Sequence, residues 1–323
     1  MPLYWFVLVT SIIGVFMSSS WFIVWVWLEI NMVSVIPLIV GTGFDMGEVT
    51  SAVTYFLVQA IGSFLILIPG IMAKLTTFAM MPTEAIASVG IMAKLGLAPV
   101  HLWVILVAEN LIWWKLMVIL VIQKLAPVYL IFSANNLLIL GWFSTATAVL
   151  GAVAVLNQPK IKSLFAYSSI SNTGWIALGA TLSLASTVVF MVAYFLVSIV
   201  VIMLLNLVGL PRVFASATQQ DWAVWLLWGG FMSFMGLPPL AGFAAKAVFM
   251  VPTVSHSVLF VTALWLSVVL SAAAYLTTSL GALFMTVGTA SWMHGFRPTL
   301  VLVGLLVVAF TCVVWGGWLL FLF

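Results

Sequence analysis

Apolar runs close to the length of a membrane-crossing helix follow one another along almost the whole chain, separated by short clusters of turn-formers and charges. An α-helix needs about 20 predominantly apolar residues to cross a bilayer core. Cutting at the turn-formers and charges predicts about eleven spans, at 3–19, 22–41, 50–72, 84–106, 112–132, 137–156, 161–181, 184–208, 221–250 (interrupted), 254–286 and 299–322. The expected fold is therefore an all-α polytopic membrane protein.

Composition supports that class and excludes others. Of 323 residues 66% are hydrophobic and 5% charged, against about 25% charged in a soluble globular protein. Such a chain cannot cover a water-facing surface. Glu29 is the only charged residue from Met1 to Phe44, and Lys246 the only one between Asp221 and Arg297. The single cysteine, Cys312, makes no internal disulfide and cannot hold an iron–sulfur cluster. His101, His256 and His294 are far apart and suggest neither haem nor metal. A scattered net charge of +3 does not point to nucleic acid. The N-terminus has neither a basic segment nor a small-residue cleavage site, so no signal or transit peptide is expected.

Charge in the connections sets the expected orientation. Lys160 and Lys162 lie between spans six and seven, Arg212 between eight and nine, and Arg297 between ten and eleven. These loops share one side by parity, and only Lys74 falls clearly in a loop of the other side. The positive-inside rule puts the three basic loops and the N-terminus on the matrix or cytoplasmic side, with the C-terminus opposite. Trp21, Trp113, Trp114, Trp222 and Trp292 near span ends fit interfacial belts.

Four ionisable residues fall inside spans: Glu29, Lys94, Lys124 and Lys246. A charge at a helix centre costs roughly 2.5–3.5 kcal/mol on insertion scales. Four uncompensated charges would cost on the order of 10 kcal/mol, comparable with the whole stability of many proteins. They must be paired, hydrated or partly neutral. Snorkelling to a headgroup suits Glu29 and Lys246 better than the deeper Lys94 and Lys124, and a static ion pair is open to Glu29 with Lys94. Proton affinity of a lysine depends on its desolvation and on nearby carboxylates. A lysine whose partner moves can therefore accept and release a proton, which is the chemistry of a relay.

Helix interruptions surround these lysines. Pro99 follows Lys94, Pro127 follows Lys124, and Pro238 and Pro239 precede Lys246. Proline removes a backbone hydrogen bond, which lipid tolerates only beside protein or a water-filled cavity. Gly96-Leu97-Ala98-Pro99 in span four and Gly236-Leu237-Pro238-Pro239 in span nine are five spans apart, an odd offset that makes a five-helix repeat inverted. The polar string Ser168, Ser169, Ser171, Asn172 and Thr173 in span seven suits a hydrated path or small-residue helix packing equally; Gln59 is similar. Asp45, Glu48, Glu84, Glu109 and Asp221 near span ends are expected to face headgroups or partners.

In order along the chain, WLEINMVSVIPLI (27–39), EVTSAVTYFLVQA (48–60), MAKLGLAPVHLW (92–103), IQKLAPVYLI (122–131), LNQPKIKSLFAYSSISNTGW (156–175) and MSFMGLPPLAGFAAK (232–246) resemble the NADH–ubiquinone oxidoreductase chain 2 family, antiporter-like membrane subunits of mitochondrial respiratory complex I. The resemblance runs from about residue 5 to 250. It implies a single membrane domain of two inverted five-helix repeats (about 3–132 and 137–286) with two broken helices, followed by a C-terminal helix at about 299–322. It implies a proton relay in which Glu29 pairs with Lys94, Lys124 is central and Lys246 belongs to the second broken helix. It also implies membership of a proton-pumping NADH:ubiquinone reductase of the mitochondrial inner membrane. NAD, FMN, iron–sulfur clusters and ubiquinone would then be held elsewhere in the complex, with no cofactor on this chain. The partners would be other membrane-arm and accessory subunits and lipids, and no nucleic acid. Four positions depart from the family pattern: Ile105 and Leu106 stand where relatives often have Pro-Glu or Pro-Asp, Asn172 stands in place of a histidine and Thr277 of an arginine. A stand-alone cation/proton antiporter and a purely structural subunit use the same buried charges and stay open.

The orientation is tested by a Lys160→Cys variant in a Cys312→Ser background. A membrane-impermeant thiol reagent is expected to label it from the matrix side; labelling only from the opposite side rejects the topology.

Overall fold

The computed structural model describes residues 2–41, 45–75, 80–133, 138–208, 227, 229–234, 236 and 240–287. Every regular element among them is helical. They run α1 Pro2–Met17, α2 Trp21–Val40, α3 Met46–Leu75, α4 Met80–Leu95, α5 Leu102–Asn110, α6 Trp113–Leu120, a 3-10 turn Ile122–Lys124, α7 Leu125–Ser133, α8 Leu138–Val155, α9 Ile161–Leu182, α10 Leu184–Val208, α11 Ala241–His256 and α12 Val258–Val287. Five stretches are long and apolar enough to cross a membrane: Trp21–Val40, Met46–Met72, Trp113–Ser133, Leu184–Asn206 and Val258–Thr277. Pro2–Met17, Ile139–Val155 and Gly242–Thr253 are apolar but shorter. The expected span at 299–322, the arginine loops and Pro238–Pro239 lie outside the described residues.

Helices dominate because lipid offers no partner for a backbone N–H or C=O, so each segment must satisfy its own. The surface is correspondingly apolar: Phe6, Phe22, Phe64, Leu102, Leu184 and Val269 are exposed. Polar side chains turn inward instead, among them Ser11, Asn31, Ser63, Ser144, Thr147 and Ser198. Two expected spans are split. The span at 84–106 is α4, a turn and α5; the span at 112–132 is α6, the 3-10 turn and α7. Trp113, expected at an interface, is buried.

The chain divides into two compact units, Met1–Ala148 with Thr173–Thr181 and Val149–Asn172 with Leu182–Phe323. In the first, α3 is the central element and packs against α2, α4 and α5. A side-chain bond from Asn31 Nδ2 to Ser11 Oγ, 3.1 Å, ties α2 to α1. α3 and α4 approach closely where Gly62 faces Gly90. A Cβ on Gly90 would lie 2.9 Å from the Gly62 carbonyl oxygen, and one on Gly62 3.2 Å from the Gly90 carbonyl oxygen. Small residues bring membrane helices into such backbone contact. In the second unit α10 packs on α11 and α11 on α12, with Phe190 and Phe249 in ring contact at 5.6 Å.

A Gly90→Val substitution puts bulk against the α3 backbone. It is expected to destabilise the folded chain by about 1–3 kcal/mol, the usual range for overpacking, read as a lower midpoint in a thermal scan of the purified complex in detergent.

Candidate functional site

Of the four ionisable residues expected inside spans, Glu29, Lys94 and Lys124 sit in the first unit, where the carbonyls of a helix break find partners. α4 stops one residue after Lys94, and Gly96 takes φ +71°, a conformation that only glycine adopts freely. A Cβ there would also lie 2.4 Å from Val104 Cγ2. The carbonyls left by the break find partners: Met92 O accepts from Leu97 N at 2.9 Å and Ala93 O from Trp103 Nε1 at 3.1 Å. Lys94 O accepts from Gln59 Nε2 at 3.2 Å, and Ala98 N donates to Thr147 Oγ1 at 2.9 Å. Lys94 Nζ in turn donates to Gln59 O at 3.3 Å. Lys94 and Gln59 therefore hold each other through both main chain and side chain.

Glu29 is half-buried on α2 and accepts a hydrogen bond from the Ser63 hydroxyl of α3. Among the described residues it makes no direct ion pair with Lys94; its charge acts on the Lys94 ammonium through space. Ser63 and the Gln59 carbonyl are their direct partners. Neither partner was assigned to these charges from sequence, because a serine or glutamine in an apolar run carries no sign of what it touches.

Lys124 lies in the 3-10 turn between α6 and α7 and is 5% exposed. Pro127 has no N–H to donate to the Gln123 carbonyl, so the α-helical ladder cannot run through this point. The turn packs against α4, the helix that carries Lys94. Next to it, Gln123 Oε1 accepts from Tyr55 OH at 3.1 Å. Gln123 Nε2 is buried with no protein acceptor, a donor that a water can satisfy.

Lys246 belongs to the second unit. It is 9% exposed on α11, and its Nζ donates to Phe234 O at 2.9 Å. Phe234 belongs to the helical residues 229–234. Gly236, φ +80°, makes the following turn, and a Cβ there would lie 3.1 Å from Lys246 Cδ. A cavity of about 20 Å³ opens beside the amine, lined by Asn172, Tyr194, Ser233, Phe234, Gly242 and Lys246 among others. Roughly 10–15 Å³ by this measure admits one water.

The polar string on α9 separates into two faces. Asn172 lines the Lys246 cavity and bonds Ser168 O at 3.0 Å, while Ser169 hydrogen-bonds the Tyr194 hydroxyl. Ser171 packs instead on α8, where a Cβ on Gly151 would lie 2.6 Å from Ser171 N. Cavity lining and small-residue packing are both present, on faces set by the helical period.

One expected end-of-span charge is not at the surface. Glu48, assigned to headgroups or partners, is buried and ion-paired with Lys115. Span parity places the beginnings of spans three and five on the same side, a signal that allows this pairing. Asp45, Glu109 and Lys160 are exposed. Among the described residues no three His, Cys, Asp or Glu side chains converge as metal ligands.

An all-helical bundle with lysines at internal helix breaks defines a membrane protein of antiporter type. Its fold matches a chain of respiratory complex I from Thermus thermophilus with TM-score 0.79 at 21% identity, over 94% of this chain and 76% of that one. It also matches a chain of the archaeal membrane-bound sulfane sulfur reductase, TM-score 0.80 at 17% identity over 98% and 73%. A chain of the Mrp complex from Dietzia sp. matches with TM-score 0.75 at 17% identity over 85% of this chain, which spans 58% of that one. In sequence, the family described as NADH:quinone oxidoreductase/Mrp antiporter, TM, matches residues 18–271. NADH-ubiquinone oxidoreductase chain 2 of Myxine glutinosa is 31% identical over 78% of this chain and 78% of its own length; that of Saccopteryx leptura is 32% identical over 74% of each. The chain belongs to the NADH-ubiquinone oxidoreductase chain 2 family, within the wider NADH:quinone oxidoreductase/Mrp antiporter group.

Replacing Gln59 by Leu removes the Nε2 donor to Lys94 O and leaves the Gln59 main-chain carbonyl that accepts from Lys94 Nζ. A buried polar group left without its partner costs about 1–3 kcal/mol, so Gln59→Leu is expected to lower the assembled fraction measured by native gel electrophoresis. Gln59→Glu, which keeps the acceptors, is not expected to restore the donor bond to Lys94 O.

Proposed function

We propose that this chain is a proton-translocating membrane-arm subunit of NADH:ubiquinone oxidoreductase in the mitochondrial inner membrane. Glu29, Lys94, Lys124 and Lys246 are the residues that hold and pass protons. The redox groups, NAD, FMN, iron–sulfur clusters and ubiquinone, belong to other subunits, and the chain works only beside those membrane-arm and accessory partners. Its similarity to NADH-ubiquinone oxidoreductase chain 2 proteins and its family membership support this assignment.

One observation carries the mechanism. Lys94, Lys124 and Lys246 are all buried; Lys94 and Lys124 stand at interruptions of the helical ladder, and Lys246, in the second turn of α11, reaches back to the Phe234 carbonyl. An uncompensated ammonium in that position is costly, so its protonation follows the groups around it. At Lys94 those are the Gln59 carbonyl and the Glu29 charge. At Lys246 they are the Phe234 carbonyl and the cavity with Asn172 and Tyr194. A proton arriving at one amine makes a cation there, and like charge disfavours a second cation close by. Small shifts at the breaks then move protons between states without large backbone rearrangement. The amide of Asn172 can orient water but cannot itself titrate near neutral pH.

Lys124 gives the test. Lys124→Met is expected to leave assembly largely intact, because an apolar side chain of similar length is cheaper in the membrane than a charge. It is expected to lower both NADH oxidation and proton pumping, which are coupled. Lys124→Arg is expected not to rescue, since arginine does not release its proton. The measurement is both activities in membranes carrying each variant, normalised to assembled complex. Normal coupled turnover in Lys124→Met would remove Lys124 from the path and leave a structural role; antiport by the isolated chain would favour the stand-alone antiporter.

A further inference from the structure

The Glu48–Lys115 ion pair takes no part in the path above, yet it is joined to it. Glu48 lies in the first turn of α3 and Lys115 in the first turn of α6, and they are 6% and 5% exposed. Gly41 at the C-terminal end of α2 closes over them: a Cβ there would lie 2.9 Å from Lys115 Nζ and 3.8 Å from Glu48 Oε2. Trp114 covers the amine, its ring centroid 5.6 Å from Lys115 Nζ. The carboxylates nearby in the chain, Asp45 and Glu109, are exposed, so Glu48 is the acid that faces the protein interior.

Along α3, Glu48, Ser51, Tyr55, Gln59 and Ser63 follow at spacings of three and four residues, which places them on one helix face. All five are buried, Ser51 and Tyr55 at 1% exposure and Ser63 at 0%. Ser51 bonds back to Gly47 O, and the three members after it touch the relay: Tyr55 bonds Gln123 beside Lys124, Gln59 bonds Lys94, and Ser63 bonds Glu29. The face spans about 22 Å at 1.5 Å per residue, from the end of α3 to the Glu29 site. A buried ion pair is often no more stabilising than well-packed apolar residues of similar volume, so stability alone does not account for its presence here.

We propose that Glu48 is a further proton-exchanging residue of this chain, held by Lys115 at the outer end of the polar face of α3. The inference rests on the proposed proton-translocating function. In the exchange, a hydronium ion at that helix end gives its proton to the Glu48 carboxylate, leaving a water and a neutral carboxylic acid. The ion pair to Lys115 opens as the negative charge is lost. The acid then gives the same proton to a water on the polar face, and the restored carboxylate closes on Lys115 again. One proton enters and one leaves, and Lys115 keeps its charge throughout as the positioning residue.

The test uses the whole complex in its membrane, with Glu48→Gln, the neutral pair Glu48→Gln/Lys115→Met, and Lys124→Met measured side by side. Glu48→Gln and the neutral pair are both expected to lose proton pumping per assembled complex. A protonated-carboxyl band in the turnover-induced infrared difference spectrum is expected to disappear in Glu48→Gln, a readout that a purely structural pair would not move. If the neutral pair pumps normally while Lys124→Met does not, Glu48 is structural and the inference falls while the proton-translocating function stands. If Lys124→Met also pumps normally, the function itself is overturned. Should Glu48→Gln alone fail to assemble, the neutral pair, which leaves no unpaired charge, decides between the two.

Discussion

A backbone group exposed to hydrocarbon has nothing to bond, and the helix breaks among the described residues depend on meeting that constraint from within. The break after Lys94 is the clearest case. Interrupting α4 frees the carbonyls of Met92, Ala93 and Lys94, and a main-chain N–H, an indole and a side-chain amide take them up. Trp103 and Gln59 are therefore as much part of the break as Gly96. The interruption in turn holds an ammonium inside the bundle, within reach of a carbonyl rather than a headgroup.

The second lysine break uses a different arrangement to the same end. Lys94 precedes its turn and reaches across to α3, whereas Lys246 follows its turn and reaches back to Phe234 O on the helical segment before it. In both, a glycine at positive φ makes the turn, because a side chain there would be strained as well as crowded. Lys124 has no such glycine. Its break follows from Pro127 and is a single 3-10 turn.

α3 ties the first unit together. Its small face, at Gly62, lets α4 come close enough for Gln59 to meet Lys94. Its polar face carries Glu48, Tyr55, Gln59 and Ser63 to four different partners on α6, the Lys124 segment, α4 and α2. One helix thus bonds Lys115, Lys94, Glu29 and the Gln123 neighbour of Lys124, and a change on it is felt at several of them at once.

The sequence by itself determined the class of fold and the interruptions beside Lys94 and Lys124. Those follow from local quantities: run length against bilayer thickness, proline's missing donor, glycine's tolerance of positive φ. It also determined which charges are costly, since Glu29, Lys94, Lys124 and Lys246 stand alone in apolar runs. Partnership was decided only by tertiary structure. Glu29 bonds Ser63 and acts on Lys94 from a distance, Glu48 turns inward to Lys115 instead of outward to lipid, and the polar string on α9 serves cavity and packing on separate faces. The physical reason is that a polar residue in a membrane must find a partner, but several lie within helical reach by composition alone. Which one it meets depends on how closely the backbones approach, and at Gly62 and Gly90 that is settled by contacts between residues far apart in the chain.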